Sequence, residues 1–287
     1  IATLSLDAMG NIVVQKLLER GDLQRRLDIC ELLSPHLAAL SCHKNGTWVV
    51  QKFISLSSNA TDSRDLRHLL MSSLQPYLVA LLKDQFGNYV VQGCLGLGQC
   101  ARVLLECLAK RGVDLAKTRF GARAMKSVLE PLSSRHYDQQ YYSAIVEPLR
   151  GNLVDLMGNP HGALLLSFLL SCRQLNGSDL ISAAMPTIHT IFLNRHAVTV
   201  LQEACVTASS STLRDLCTAL TAHDNPVRLL GDQGAVSLIC ACMIAPAMDD
   251  GTKHLLVSRF APIVSRATVH SDQHAEHLAI ISGTVKQ

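Results

Sequence analysis

The chain has 287 residues, of which 48% are hydrophobic and only 4% aromatic, and its 26 Lys+Arg against 23 Asp+Glu leave a net charge of +3. An aliphatic core on that scale suits leucine-rich helices in layers and argues against a β-sandwich, which draws on aromatic and β-branched residues. Apolar runs such as 163–166 are too short to span a bilayer, and ten cysteines without a CxxC pair indicate buried thiols in a reducing, cytoplasmic setting, not a zinc site or disulfide framework.

In chain order, the first predicted helix opens with Gly10-Asn11-Ile12-Val13-Val14-Gln15. Asp22–Leu33 follows as an amphipathic helix, with Leu23, Leu27 and Leu33 on its apolar side and Asp22 as its N-cap. Ser34-Pro35 ends it, because proline cannot continue a helix interior. Gly46–Leu56 carries Gly46-Thr47-Trp48-Val49-Val50-Gln51; Val49, Val50 and Phe53 are predicted inside, and Thr47, Trp48 and Gln51 on the open side. Residues 57–62 read as a polar loop, Arg64–Leu74 as the next amphipathic helix and Pro76 as its stop. Gly87–Leu95 then bears Gly87-Asn88-Tyr89-Val90-Val91-Gln92. Gly121-Ala122-Arg123-Ala124-Met125-Lys126 and the stretches 162–167, 197–202 and 234–239 are progressively worn echoes. Predicted helices near 101–110, 137–146, 180–185 and 212–220 alternate with them, and Asn176-Gly177 and Asp249-Asp250-Gly251 are predicted turns.

The lead positions 10, 46, 87, 121, 162, 197 and 234 lie 34 to 41 residues apart, and Pro35, Pro76 and Pro186 each sit eleven residues before one of them. Pro262 repeats that offset ahead of Gln273, marking a worn final repeat. Such a period describes an array of about eight units, not one globular core. Asn88 and Gln92 are four apart on one helical face with Tyr89 beside them, and Asn11/Gln15 with Ile12 and Thr47/Gln51 with Trp48 repeat the arrangement. Amides that hydrogen-bond beside rings that stack suit a flat, polar-edged ligand such as a nucleobase. Residues 1–143 hold 17 Lys+Arg against 12 Asp+Glu (+5) and residues 144–287 hold 9 against 11 (−2), so phosphate attraction coincides with the intact motifs.

On these motifs the chain resembles the Pumilio/FBF (PUF) family of RNA-binding repeat proteins, and most of all the divergent fungal subfamily whose full-length members also carry an RRM. No RRM is visible and the sequence starts inside a repeat, so it is expected to be an excerpt. The resemblance implies an all-α fold, a right-handed α-solenoid superhelix of about seven or eight Pumilio-type repeats shaped as a crescent. It implies a single domain over 1–287, with RNA-reading repeats in 1–126 and degenerate repeats in 127–287. In that family the outer pair of side chains binds one base edge, the middle one stacks, and the RNA runs antiparallel to the chain. Asn11/Gln15 and Asn88/Gln92 match the family's uracil pair, whereas Thr47/Gln51 is less decisive and more often accompanies adenine. Ile12, Trp48, Tyr89 and Arg123 fall at the stacking position, and Lys126 is placed for a phosphate contact. The expected ligand is single-stranded mRNA carrying short U/A-rich motifs of the UAAU type in its 3′ UTR, bound for post-transcriptional control of stability or translation. Two or more molecules are expected on clustered motifs, since one short word discriminates poorly.

Ala163/Ser167, Val198/Gln202 and Ala235/Ile239 have lost one or both hydrogen-bonding side chains, so the acidic half is expected to read no bases and to serve protein partners. No cofactor, metal or catalytic arrangement is predicted. His270, His274 and His277 share a helical spacing but lack a completing ligand, and read as a solvated terminal helix. The competing reading is an armadillo- or HEAT-like protein-interaction scaffold, whose surfaces also use Asn and Trp.

Overall fold

The computed structural model describes residues 1–58, 63–97, 99–133 and 139–283, and every regular element among them is a helix. The predicted loop residues 59–62 and the predicted helix start at 137 lie outside the described residues. Two compact units divide the chain, Ile1–Gly151 and Asn152–Gln287.

In the first unit the repeats led by Gly46 and Gly87 each contain one more helix than the sequence suggested, whereas before Gly121 a single helix, Gln99–Ala116, fills the same span. Leu23–Leu33 begins where expected, with the Asp22 carboxylate accepting the Arg25 N–H. Pro35 then sits in the one-turn 3₁₀ helix Ser34–His36, where a missing N–H costs nothing, and the chain re-enters a short helix, Leu37–Ser41. The same pair recurs as Gln75–Tyr77 with Leu78–Lys83, and in the second unit as Met185–Thr187 with Ile188–Ile191. A helix of four to six residues is too short to show a 3.6-residue period, which is why it is invisible to pattern reading.

Two rows of helices result. Leu23–Leu33 packs on Arg64–Leu74, that helix on Gln99–Ala116, and the latter on Gln139–Arg150. Beside them Gly10–Arg20, Gly46–Ser58, Gly87–Gly93 and Arg119–Ser133 pack in succession. Val50, Phe53, Leu70, Leu74 and Val91 are wholly buried in this unit. Truncating a side chain such as Phe53 to alanine costs about 3–5 kcal/mol in a core of this kind.

In the second unit Pro160–Ser171, Arg195–Cys205, Gln233–Ile244 and Asp272–Ser282 form one succession, and Gly177–Ala184, Ser210–Thr221 and Asp250–Phe260 the other. Asn176 and Asp249 were predicted in turns but are N-caps. Asn176 accepts the Ser178 N–H, and Asp249 accepts both the N–H and the hydroxyl of Thr252. The same short polar side chains serve turns and helix starts, so composition alone does not separate the two. Cys30, Cys94, Cys205, Cys217, Cys240 and Cys242 are buried as predicted, while Cys42 is exposed. Burial pushes the Cys30 and Cys240 thiols up to about 12, which leaves them unreactive. No helix among the described residues is long and apolar enough to cross a membrane.

Candidate nucleic-acid interface

Every helix of the motif-bearing row starts with the same local device. Asp84 accepts the N–H groups of Phe86 and Gly87 at 2.8 Å. Asp7 does this for Met9 and Gly10, the His43 ring for Asn45 and Gly46, and Thr118 for Gly121. Asn159 and Asn194 repeat it at Gly162 and Ala197. Three residues after the cap, the chain passes close to the end of the preceding helix. A Cβ on Gly46 or Gly87 would lie 2.7 or 2.9 Å from the carbonyl oxygen of Leu40 or Leu81. Gly10, Gly121 and Gly162 meet Leu4, Leu115 and Leu156 in the same way. The lead glycine is thus required by close backbone approach. The capping side chain three residues ahead of the glycine is a second signal of the motif that the sequence carries.

The first member of each predicted base-reading pair is not on the open side. Asn11, Thr47 and Asn88 are 5%, 3% and 1% exposed. The Asn88 amide nitrogen donates to the carbonyls of Asp84 and Gln85 at 2.8 and 3.0 Å, and Asn11 does the same to Asp7 and Ala8. These bonds use both amide hydrogens, so each Asn Oδ1 is left to accept from the glutamine one turn later. Gln15 and Gln92 donate to it at 2.9 Å. The helix start needs the asparagine donors more than an external ligand does, and that overrides the expected projection. Each glutamine, half-buried, keeps its Oε1 and one N–H without a protein partner among the described residues.

Thr47 behaves differently. Its hydroxyl accepts from Gln51 Nε2 at 2.9 Å, but a hydroxyl can also donate, so the Gln51 amide is not locked in one orientation.

The middle residues stand out from the helices as predicted. Trp48 is 56% and Tyr89 40% exposed, and Ile12 and Arg123 are exposed too. Arg123 comes from the next repeat and lies over Tyr89, its Cζ 5.4 Å from the ring centroid. Lys126 is exposed one turn further along the same helix. Just behind the first pairs, Glu19 of one motif helix binds Lys52 of the next at 2.7 Å and its own neighbour Lys16 at 2.6 Å. Hydrogen bonds from Lys16 and then Lys52 hold its carboxyl down at about 2.

In the second unit the corresponding positions are Ala163, Leu164 and Ser167, then Val198, Thr199 and Gln202. The third set needs a correction. Asp232 caps Ala235, not Gly234, so the helix is read one residue later than the sequence motif implied. Val236, Ser237 and Cys240 occupy the three positions, and Ser237 Oγ lies 3.0 Å from His277 Nδ1. The histidine helix is not solvated throughout either. His274 is wholly buried, with Nε2–H donating to the Leu230 carbonyl at 2.9 Å and Nδ1 accepting the His270 N–H at 3.4 Å. No metal-binding group of three ligands occurs among the described residues.

Comparison with known proteins bears on this arrangement. Residues 1–34, 36–61 and 77–100 match the family described as Pumilio-family RNA binding repeat. A Pumilio domain-containing protein of Schizosaccharomyces pombe is 35% identical over 70% of the chain, which covers 30% of that relative. The mRNA-binding protein PUF2 of Saccharomyces cerevisiae is 32% identical over 62% of the chain and 16% of its own length. The chain therefore spans a third or less of these curated relatives. Among solved structures, the PUM-HD domain of S. pombe Puf1 in complex with RNA superposes with a TM-score of 0.67 at 26% identity, over 99% of this chain and 74% of that one. The Puf4 RNA binding domain bound to a 3′ UTR recognition sequence shares the fold, with a TM-score of 0.77 at 21% identity over 99% and 87% of the two chains.

Proposed function

The chain is a member of the Pumilio (PUF) family, and we propose that it binds single-stranded RNA sequence-selectively through its first three repeats and stacks a further base on Arg123. The observation that carries this reading is the locked Asn–Gln pair flanked by an exposed ring. Gln15 and Gln92 each offer one acceptor and one donor, which complement the N3–H and a carbonyl oxygen of uracil. Asn11 and Asn88 set the orientation of those amides, and Gln51 beside Thr47 can turn to meet adenine. Ile12, Trp48, Tyr89 and Arg123 supply the stacking surface, and Lys126 a phosphate contact. The relatives solved with RNA support the ligand class.

The reading extends to a single RNA-binding domain over 1–287 that acts on short U/A-rich words of the UAAU type in mRNA. Several molecules on clustered words supply the selectivity that one word lacks, and the longer protein controls mRNA stability or translation in the cytoplasm without catalysis. Selection from random RNA tests it. The expected product is a U/A word of about four bases. Enrichment of eight specified bases would overturn the restriction to the early repeats, and no enrichment at all would favour a protein-interaction scaffold.

A further inference from the structure

An open surface hollow of about 420 Å³ in the second unit is lined by Asn225, Val227, Arg228, Arg266, Thr268 and His270, among others. The unit is net acidic, with 8 Lys+Arg against 10 Asp+Glu in Asn152–Gln287, yet no acid lines this hollow. Three arginines elsewhere are ion-paired among the described residues: Arg214 binds Asp249 and Arg111 binds Asp114, both at 3.1 Å, and Arg150 binds Glu147. Arg228 and Arg266 have no such carboxylate among the described residues. Two guanidinium groups, a hydroxyl and an amide around one hollow form a donor-rich lining that suits a tetrahedral oxyanion.

The walls are held in place before any ligand arrives. Asn225 caps Pro226–Gly231 by accepting the Arg228 N–H at 2.9 Å, fixing one wall. The buried His274 ties that wall to the other, because it bonds Leu230 through one ring nitrogen and the His270 amide through the other. The His270 ring also stacks on His274, with centroids 5.6 Å apart.

We propose that this hollow is a phosphate site, filled by the backbone of RNA flanking the bases read by the early repeats. For the source of the phosphate it rests on the RNA-binding reading above. It gives the code-free repeats a sequence-independent role that matching side chains to bases would never reveal.

Two measurements test it on the whole chain, comparing wild type with Arg228→Gln/Arg266→Gln; both side chains are exposed, so folding is spared. In the first, inorganic phosphate titrated at constant ionic strength shifts the NMR signals of Arg228 and Arg266 in the wild type. In the second, affinities are measured for a UAAU core alone and for the core with uncoded 5′ or 3′ flanks. The variant binds the core as wild type does but loses roughly threefold or more on a flanked RNA at low salt, with a salt slope shallower by about 0.7 per phosphate released. Absence of both effects overturns the site. A phosphate shift without any loss on flanked RNA makes free phosphate the ligand and overturns the RNA source. Failure of wild type to bind the core strikes the base-reading proposal instead, while the phosphate titration still decides the hollow.

Discussion

The guanidinium of Arg123 rests on the ring of Tyr89, 5.4 Å from its centroid, across the joint between two successive repeats. A cation over an aromatic face orders both side chains in advance, so a base arriving there meets a prepared platform. Tyr89→Ala is expected to weaken RNA binding by about 1–3 kcal/mol and Arg123→Ala by less. Because the two side chains touch, the double variant should lose less than the sum of the two single losses. Fluorescence anisotropy on a UAAU-type RNA measures all three; strict additivity would mean the contact is irrelevant to binding.

Asn88 makes a sharper test, because it is buried and bonded on every polar atom. Asn88→Ala takes the side-chain donor away from the carbonyls of Asp84 and Gln85 and frees Gln92, costing stability of about 1–3 kcal/mol. It should also flatten discrimination at one base. Asn88→Thr recreates the Thr47–Gln51 arrangement and is expected to move that base from uracil towards adenine. Competition with RNAs substituted at single positions reads this directly, and an unchanged uracil preference would show that the asparagine does not orient the glutamine.

Glu19 links two repeats through Lys16 and Lys52, and its carboxyl is held down from an ordinary 4.5 to about 2. A depressed carboxyl contributes stability above its unfolded value and loses it as the pH falls through the folded one. The wild type should therefore melt above Glu19→Gln at neutral pH, with the gap closing between about pH 4.5 and pH 2. A gap that persists at pH 2 would place the effect outside the ion pairs. The Glu19 side chain is 32% exposed and its ion pairs are screened by solvent, so the gap itself is small.

Glycines give opposite signs at two sites. Gly87→Ala drives a Cβ to 2.9 Å from the Leu81 carbonyl, and is expected to lower stability by about 1–3 kcal/mol together with RNA affinity. Gly231→Ala meets nothing within 4 Å and should raise stability by about 0.4–1 kcal/mol. Thermal melts of the two variants separate the joint from ordinary helix propensity.

The repeat period, the glycine-led helices and the outward Trp48 and Tyr89 were legible because each rests on a spacing or on an exposed apolar residue that a core would not place. The burial of Asn11, Thr47 and Asn88 was not. A helix face can be read from residue spacing, but the competition between a ligand and the unpaired carbonyls at a helix start is settled only by local geometry. The one-residue shift at Asp232 was missed for a related reason: Gly234 imitates the lead glycine, while the cap that sets the register bonds Ala235. His274 looked like surface because its partner, Leu230, lies forty-four residues away in sequence.

Everything that aims Gln92 lies within the nine residues from Asp84 to Gln92: the cap, the glycine, the orienting amide. Asn194 to Gln202 has the same length, with its cap at the same offset and its glutamine already in place. Grafting the former block onto the latter should therefore teach a silent layer to recognise a letter, without redesign of its neighbours.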